Sequence, residues 1–173
     1  YSYANKGILY KNNLNDYLKA IVNFEKALEI SLKNDNLNVS ADLYNYIGNT
    51  YELMDDFEKA LEYFSKAIKI SPDNIEFIFD RAYLYSSNSD YNNESLVDYL
   101  KHLTLPQGNT YRVNNNIAQI YRNYVKDYDK AIEYYSKALI LDPKDPGGVT
   151  YNNLATVYND ILENQDEAIK VYD

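Results

Sequence analysis

FEKALEYFSKAIKISP (Phe57–Pro72), YDKAIEYYSKALILDP (Tyr128–Pro143) and YLKAIVNFEKALEISL (Tyr17–Leu32) are near copies of one another. In each, an aromatic residue is followed at spacings of three, four and three by Ala, an aromatic and Ala again: Phe57/Ala60/Phe64/Ala67, Tyr128/Ala131/Tyr135/Ala138 and Tyr17/Ala20/Phe24/Ala27. Those spacings put all four side chains on one face of a helix. Self-similarity with a period of a few tens of residues marks a repeat architecture, in which chain length counts stacked units and owes little to one central core.

Upstream of each copy lies a second helical pattern. ADLYNYIGNTYELMDDF (Ala41–Phe57) carries Tyr44, Ile47, Gly48 and Tyr51 on one face and ends in a turn at Met54–Asp56. The unit from Ala41 to Asn74 resembles the tetratricopeptide (TPR) repeat, W-x2-L-G-x2-Y…A-x3-F…P over 34 residues, with Tyr44 standing in for Trp and Ile47, Gly48, Tyr51, Ala60, Phe64 and Pro72 filling the other places. Repeat one offers Tyr3, Gly7, Tyr10, Ala20, Phe24 and Ala27, with one extra residue in the turn and Leu32 in place of Pro. Repeat three offers Ile78, Ala82, Tyr85 and Tyr91, then a weak second helix with Ser95, Tyr99 and His102 in the small, aromatic and small places. Repeat four gives Ile117, Ala118, Tyr121, Ala131, Tyr135, Ala138 and Pro143, and repeat five Tyr151, Leu154, Ala155, Tyr158 and Ala168. The small residues of successive second helices (Ala20, Ala60, Ser95, Ala131, Ala168) lie 40, 35, 36 and 37 positions apart. The resemblance implies an all-α fold, a right-handed superhelical α-solenoid of antiparallel helix pairs forming a single array over 1–173. Its repeats fall approximately at 1–36, 41–74, 75–110, 111–145 and 146–173, the last truncated.

Small residues such as Gly48 and Ala60 are expected where paired helices approach closely, with aromatics filling the space between neighbouring pairs. Of the 21 tyrosines, 14 fall on this frame, so the tyrosine richness reads as packing and not as an aromatic cofactor box.

With 17 basic and 26 acidic residues the net charge is -9, which opposes non-specific binding to nucleic acid or an anionic membrane and points to a protein partner. There is no cysteine, so disulfides and thiolate metal sites are excluded and redox chemistry does not report the compartment. No apolar run approaches the roughly 18 residues of a membrane span. The start, YSYANKGILY, has neither Met nor a signal-peptide pattern and reads as the edge of an excised fragment, with the cytoplasm favoured.

Helical periodicity also derives a groove stripe, from residues six and three before and one and four after the small residue of each first helix. Repeat one gives Tyr1, Ala4, Ile8 and Lys11; repeat two Asp42, Asn45, Asn49 and Glu52; repeat three Glu76, Phe79, Tyr83 and Ser86. Repeat four gives Arg112, Asn115, Gln119 and Arg122, and repeat five Val149, Asn152, Thr156 and Asn159. The stripe is a line of amides interrupted by an aromatic pair. An amide both donates and accepts, so it grips a peptide backbone whatever its side chains. The TPR resemblance implies that an extended peptide or partner segment lies in this concave groove, contacting Asn45, Asn49, Phe79, Tyr83, Asn115, Gln119, Arg122, Asn152 and Asn159. The expected affinity is on the order of micromolar once binding costs are met, with preference concentrated at Phe79 and Tyr83. Asn is abundant throughout the chain, in turns such as Asn12-Asn13 as well, so composition alone is the competing account of the amides. The Lys/Asn/Asn/Lys/Arg clamp of chaperone-binding TPR domains is absent: Asn49 matches one place, while Ala4, Ile8, Phe79 and Tyr83 occupy the others.

Nothing in the sequence asks for catalysis, a metal or a cofactor. The single histidine, His102, has no placed partner and reads as a packing irregularity. Asp55-Asp56 sits in a turn, and Gly147-Gly148 after Pro146 is a loop without the spacing of a phosphate cradle. The leading expectation is a non-enzymatic peptide-binding module. The alternatives are a scaffold that self-associates or docks neighbouring domains through its array ends, where Ala168, Ile169 and Tyr172 are expected to be uncovered, and the substrate-selecting region of a larger enzyme such as a transferase.

Overall fold

Four of the five helix pairs are built around one recurring turn. A tyrosine near the end of the first helix offers its carbonyl to the backbone N–H of an Asp or Asn that opens the second: Tyr10 to Asp16 at 2.9 Å, Tyr51 to Asp56 at 3.0 Å, Tyr121 to Asp127 at 3.1 Å and Tyr158 to Asn164 at 2.8 Å. The residue just before that cap is left-handed: Asn15, Asp55, Lys126 and Glu163 have φ of 51°, 57°, 62° and 52°. None is glycine, so each costs on the order of 1–2 kcal/mol locally. The cap offsets that cost, because its side chain accepts the third backbone N–H of the new helix, Lys19, Lys59, Lys130 or Glu167. In three of the turns the Lys also pairs with the capping Asp, at 2.8 Å for Lys19, 2.8 Å for Lys59 and 3.4 Å for Lys130. Its ammonium lies over the turn's own tyrosine ring, 5.5, 4.8 and 5.0 Å from the centroid.

The computed structural model describes residues 2–145, 148–161 and 163–172. Among them there is no strand. The helices are α1 (Ser2–Asn12), α2 (Tyr17–Lys33), α3 (Leu37–Glu52), α4 (Phe57–Ile70), α5 (Ile75–Ser86), α6 (Asn92–Thr104), α7 (Tyr111–Ile120), α8 (Tyr128–Leu141), α9 (Val149–Thr156) and α10 (Gln165–Lys170). Odd and even helices are the first and second members of antiparallel pairs, as in an α-solenoid. α3 starts ahead of Ala41, at Leu37, because Asn36 caps it by accepting from Val39 N–H. The extra turn residue of repeat one, present again in repeats four and five, lies in the connecting turn after α1 and is absorbed by a wider last turn in the other two. After α7 and α9 that turn is a π-helical stretch, Tyr121–Val125 and Val157–Ile161, as an inserted residue produces.

The chain divides into two compact units, 1–88 and 89–173. In the first, Ala20, Phe24, Leu28, Leu43 and Ile47 form one buried cluster, and Ala60, Phe64 and Leu84 another. The glycines explain the close helix approach: a Cβ on Gly7 would sit 2.5 Å from Phe24 Cε1, and one on Gly48 2.7 Å from Phe64 Cδ1. Phe24 stacks on Tyr46 at 5.6 Å, and Tyr51 on Tyr63 at 5.6 Å. In the second unit Tyr99, Val113, Ile117, Ala118, Ala131, Tyr135, Ala138 and Val157 are buried to the same degree as the frame residues of the first. Ser95, Tyr99 and His102 are all buried on α6, occupying the places that Ala60, Phe64 and Ala67 hold on α4.

His102 has a structural task. Its Nδ1 lies 2.9 Å from the carbonyl oxygen of Gly108, an acceptor only, so Nδ1 carries the proton and fastens the loop before α7. Burial lowers the imidazole pKa against the opposing pull of that carbonyl, which favours the neutral ring. The loop is tight: a Cβ on Gly108 would come within 1.7 Å of His102 carbonyl oxygen. The outer faces of the second helices carry Lys–Glu pairs one turn apart, Glu29–Lys33 at 2.6 Å, Glu62–Lys66 at 2.5 Å and Glu133–Lys137 at 2.5 Å. Being exposed and screened by solvent, these pairs add little stability.

Candidate functional site

The stripe predicted to face a ligand is largely occupied by the protein itself. In the first unit, Nδ2 of Asn45 and Nδ2 of Asn49 both donate to Oδ2 of Asp80, at 2.9 and 3.0 Å, joining α3 to α5. In the second, Asn115 accepts from the Thr150 hydroxyl at 3.1 Å, and Arg122 donates through Nη1 to Asn153 Oδ1 at 3.0 Å, joining α7 to α9. Both units thus use first-helix polar residues to stitch one repeat to the next at the same sequence separations, 35 and 31.

Asn115 belongs to a buried network. The Tyr111 hydroxyl reaches Asp145 Oδ1 and lies 2.6 Å from Thr150 Oγ1, while Asp145 Oδ2 accepts the backbone N–H of Thr150 at 2.8 Å and of Tyr151 at 3.0 Å. Burial pushes the Asp145 pKa up, but these hydrogen bonds outweigh it and hold the carboxyl below its ordinary value. The remaining candidates scatter. Asn152 is exposed and accepts from the Tyr172 hydroxyl at 2.9 Å; Asn159 is exposed and donates to neighbouring Asp160 at 2.5 Å; Gln119 is half-buried. Tyr1, Pro146 and Gly147 lie outside the described residues.

In the first unit the structure does bring predicted residues together. Phe79 and Tyr83 stack on α5 with centroids 6.3 Å apart and planes 8° off parallel, and Tyr83 is 49% exposed. Beside Tyr83 opens a depression of about 610 Å³ lined by Lys11, Asn49, Glu52, Leu53, Asp55, Phe57, Leu84 and Ser87. Its electrostatics are unusual. Burial, reinforced by the Asp80 charge and only partly offset by Lys11, pushes the Glu52 carboxyl up to about 7. Burial lowers the Lys11 ammonium, with Asp80 and Glu52 pulling the other way. Glu76 is raised by burial, then by Asp80 and Asp42, and Asp42 by burial alone.

The residues absent from the predicted stripe are the acceptors, Asp80 and Asn153. Each lies two positions before the small residue of its first helix, Ala82 or Ala155, and Asn116 does so before Ala118, where it donates to the Tyr99 hydroxyl at 2.8 Å. A polar residue at that place in three successive repeats was the available signal. Among the described residues no acidic or histidine cluster is placed to hold a metal ion, and no helix is long and apolar enough to cross a membrane.

Comparison with known proteins agrees with this frame. Tetratricopeptide repeat profiles match residues 1–34, 41–74 and 109–173, passing over the stretch whose copy of the frame is weakest. No curated protein matches the sequence. Among solved structures, MamA is similar at 20% identity over 98% of this chain and 86% of that one, with a TM-score of 0.80. MamA from Desulfovibrio magneticus RS-1 (41 to the end) is similar at 15%, covering 98% and 89%, with a TM-score of 0.81. YrrB, described as a TPR protein with an unusual peptide-binding site, is similar at 20%, covering 98% and 80%, with a TM-score of 0.75. At these identities the likeness is one of fold. With the turn chemistry, the glycine–phenylalanine contacts and the matched repeats in agreement, the chain belongs to the tetratricopeptide repeat family, a family of protein-interaction modules.

Proposed function

We propose that the chain is a non-enzymatic module that seats an extended peptide against the first helices of its first unit, α1, α3 and α5. The observation that carries this reading is the half-exposed Tyr83 ring, stacked on Phe79 at the rim of the 610 Å³ depression. An aromatic pair beside an open hollow offers a place for an apolar side chain, and filling it contributes about 1.5–3 kcal/mol. Asn49 lies on the wall of the same depression, with one amide hydrogen on Asp80 and its carbonyl as a second point of contact for a backbone. In the second unit Asn115 and Arg122 are held by Thr150 and Asn153, and the reading rests on the first unit, where Phe79 and Tyr83 stand beside the depression.

The test is selection of a capped peptide library on the intact chain, followed by affinity measurement on the Tyr83→Ala variant. Selected peptides should weaken about tenfold or more, the loss of roughly 1.4 kcal/mol or more of contact. Peptides that bind Tyr83→Ala as tightly as the parent protein would place the seat elsewhere.

A further inference from the structure

The depression beside Tyr83 carries a charge pattern that a neutral peptide backbone does not need. Glu52 from α3 and Asp55 from the turn after it line the depression together with Lys11 from α1, and Asp80 on α5, bonded to Asn49 on its wall, acts on both Glu52 and Lys11. The cation on α5, Arg81, is engaged elsewhere, reaching Ser65 on α4 and lying 5.7 Å from the Tyr85 ring.

A second observation is independent of charge. Asn45 is 2% exposed, and its amide head is fixed on the Asp80 carboxylate through Nδ2. Its other atom, the carbonyl Oδ1, is buried with no hydrogen-bond partner among the described residues. An unmet buried acceptor is costly. One that lies beside a carboxylate is met best by a donor that also brings positive charge.

We propose that the Glu52–Asp80 corner of this depression, with Asn45 and Asn49, receives the Lys or Arg side chain of a bound peptide whose adjoining apolar residue rests on Tyr83 and Phe79. This rests on the peptide-seat reading above and specifies its ligand. The stem of a long basic side chain is apolar and runs along Tyr83 and Leu84, and its head displaces Lys11 as the partner of the carboxylates. Lys11 is the residue best able to yield, since burial already disfavours its charge. The ligand's charge also favours the ionised form of Glu52, so binding takes a proton off that carboxyl near neutral pH. Affinity therefore rises with pH through about 7 and falls below it.

The experiment uses capped peptides, each carrying Phe and, at a varied spacing, Lys, Arg, norleucine or Glu, titrated against the intact chain at about pH 6 and pH 8. Lys and Arg peptides should bind at least tenfold more tightly than norleucine peptides at the higher pH, with the margin shrinking at the lower one. Glu52→Gln should remove the pH dependence, and Glu52→Lys should reverse the preference toward Glu peptides. Glu52→Gln makes no change to the Asn45–Asp80–Asn49 hydrogen bonds, so it remains informative if Asp80→Asn fails to fold. Norleucine peptides binding as well as Lys peptides, while Tyr83→Ala still abolishes binding, would overturn the cationic preference and leave the peptide seat standing. Binding indifferent to Tyr83→Ala, or no binding by any peptide, would overturn both.

Discussion

Gly48 and Phe64 show how single residues set the spacing of this array. A methyl group on Gly48 would come 2.7 Å from a Phe64 ring that is completely buried, so the ring has nowhere to retreat. Two effects compete on substitution. Alanine gains about 1 kcal/mol of helix propensity over glycine, and overpacking costs about 1–3 kcal/mol. Because the neighbour is a caged ring and not a flexible chain end, overpacking wins, and Gly48→Ala should lower unfolding free energy by up to about 2 kcal/mol in a urea titration. A stabilised variant would mean that Phe64 has unused space. This contact was legible in the sequence, since Gly48 and Phe64 are frame positions of a repeat. The role of Asn45 and Asn49 was not: their spacing gives the correct face, but a face open to a ligand and a face hydrogen-bonded to the next repeat look alike until Asp80 is placed 35 and 31 positions on.

At the level of elements, the repeated unit is as much the turn as the helix pair. Asp16, Asp56 and Asp127 each satisfy an otherwise unpaired helix-end N–H, hold a Lys and follow a left-handed residue. Removing one such carboxylate leaves the left-handed cost in place and takes away what offsets it. Asp56→Ala is therefore expected to cost about 0.5–2 kcal/mol, read as a fall in unfolding midpoint, while Lys59→Ala, which loses only an exposed pair, should cost less than about 0.5 kcal/mol. Equal losses would show that the pair, and not the cap, fixes the turn. Asp55-Asp56 could be read from sequence as turn residues, but the wider last turns of repeats four and five could not. One inserted residue enlarges a loop or widens a helix equally well on paper, and the structure does both: a loop after α1, π-helical turns after α7 and α9. Repeat three departs most: α6 follows a short 3-10 turn, Ser89–Tyr91, and its cap position, Tyr91, makes no side-chain capping bond.

Over the whole molecule, the family and the all-helical architecture were fully legible because they depend on periodicity, which a sequence states directly. The division at residue 88 was not, since the repeat spacing runs through it without a mark. The distribution of charge adds one consequence. On α2, α4 and α8, lysines stand one turn from glutamates and pair with them, whereas Glu52, Asp55 and Asp80 at the depression share the one lining ammonium, Lys11. The depression therefore carries a net negative field of its own. Such a field acts before contact, on the frequency of productive encounters. The association rate of a Lys-bearing peptide should fall several-fold as salt shortens the Debye length from about 10 Å at 0.1 M to about 3 Å at 1 M, with dissociation changing far less. Stopped-flow mixing measures both, and an association rate flat in salt would mean the field is spent locally on Lys11. If the rate falls with salt as expected, the paired lysines of the second helices matter less for the stability they add, which is small, than for the direction from which a partner arrives.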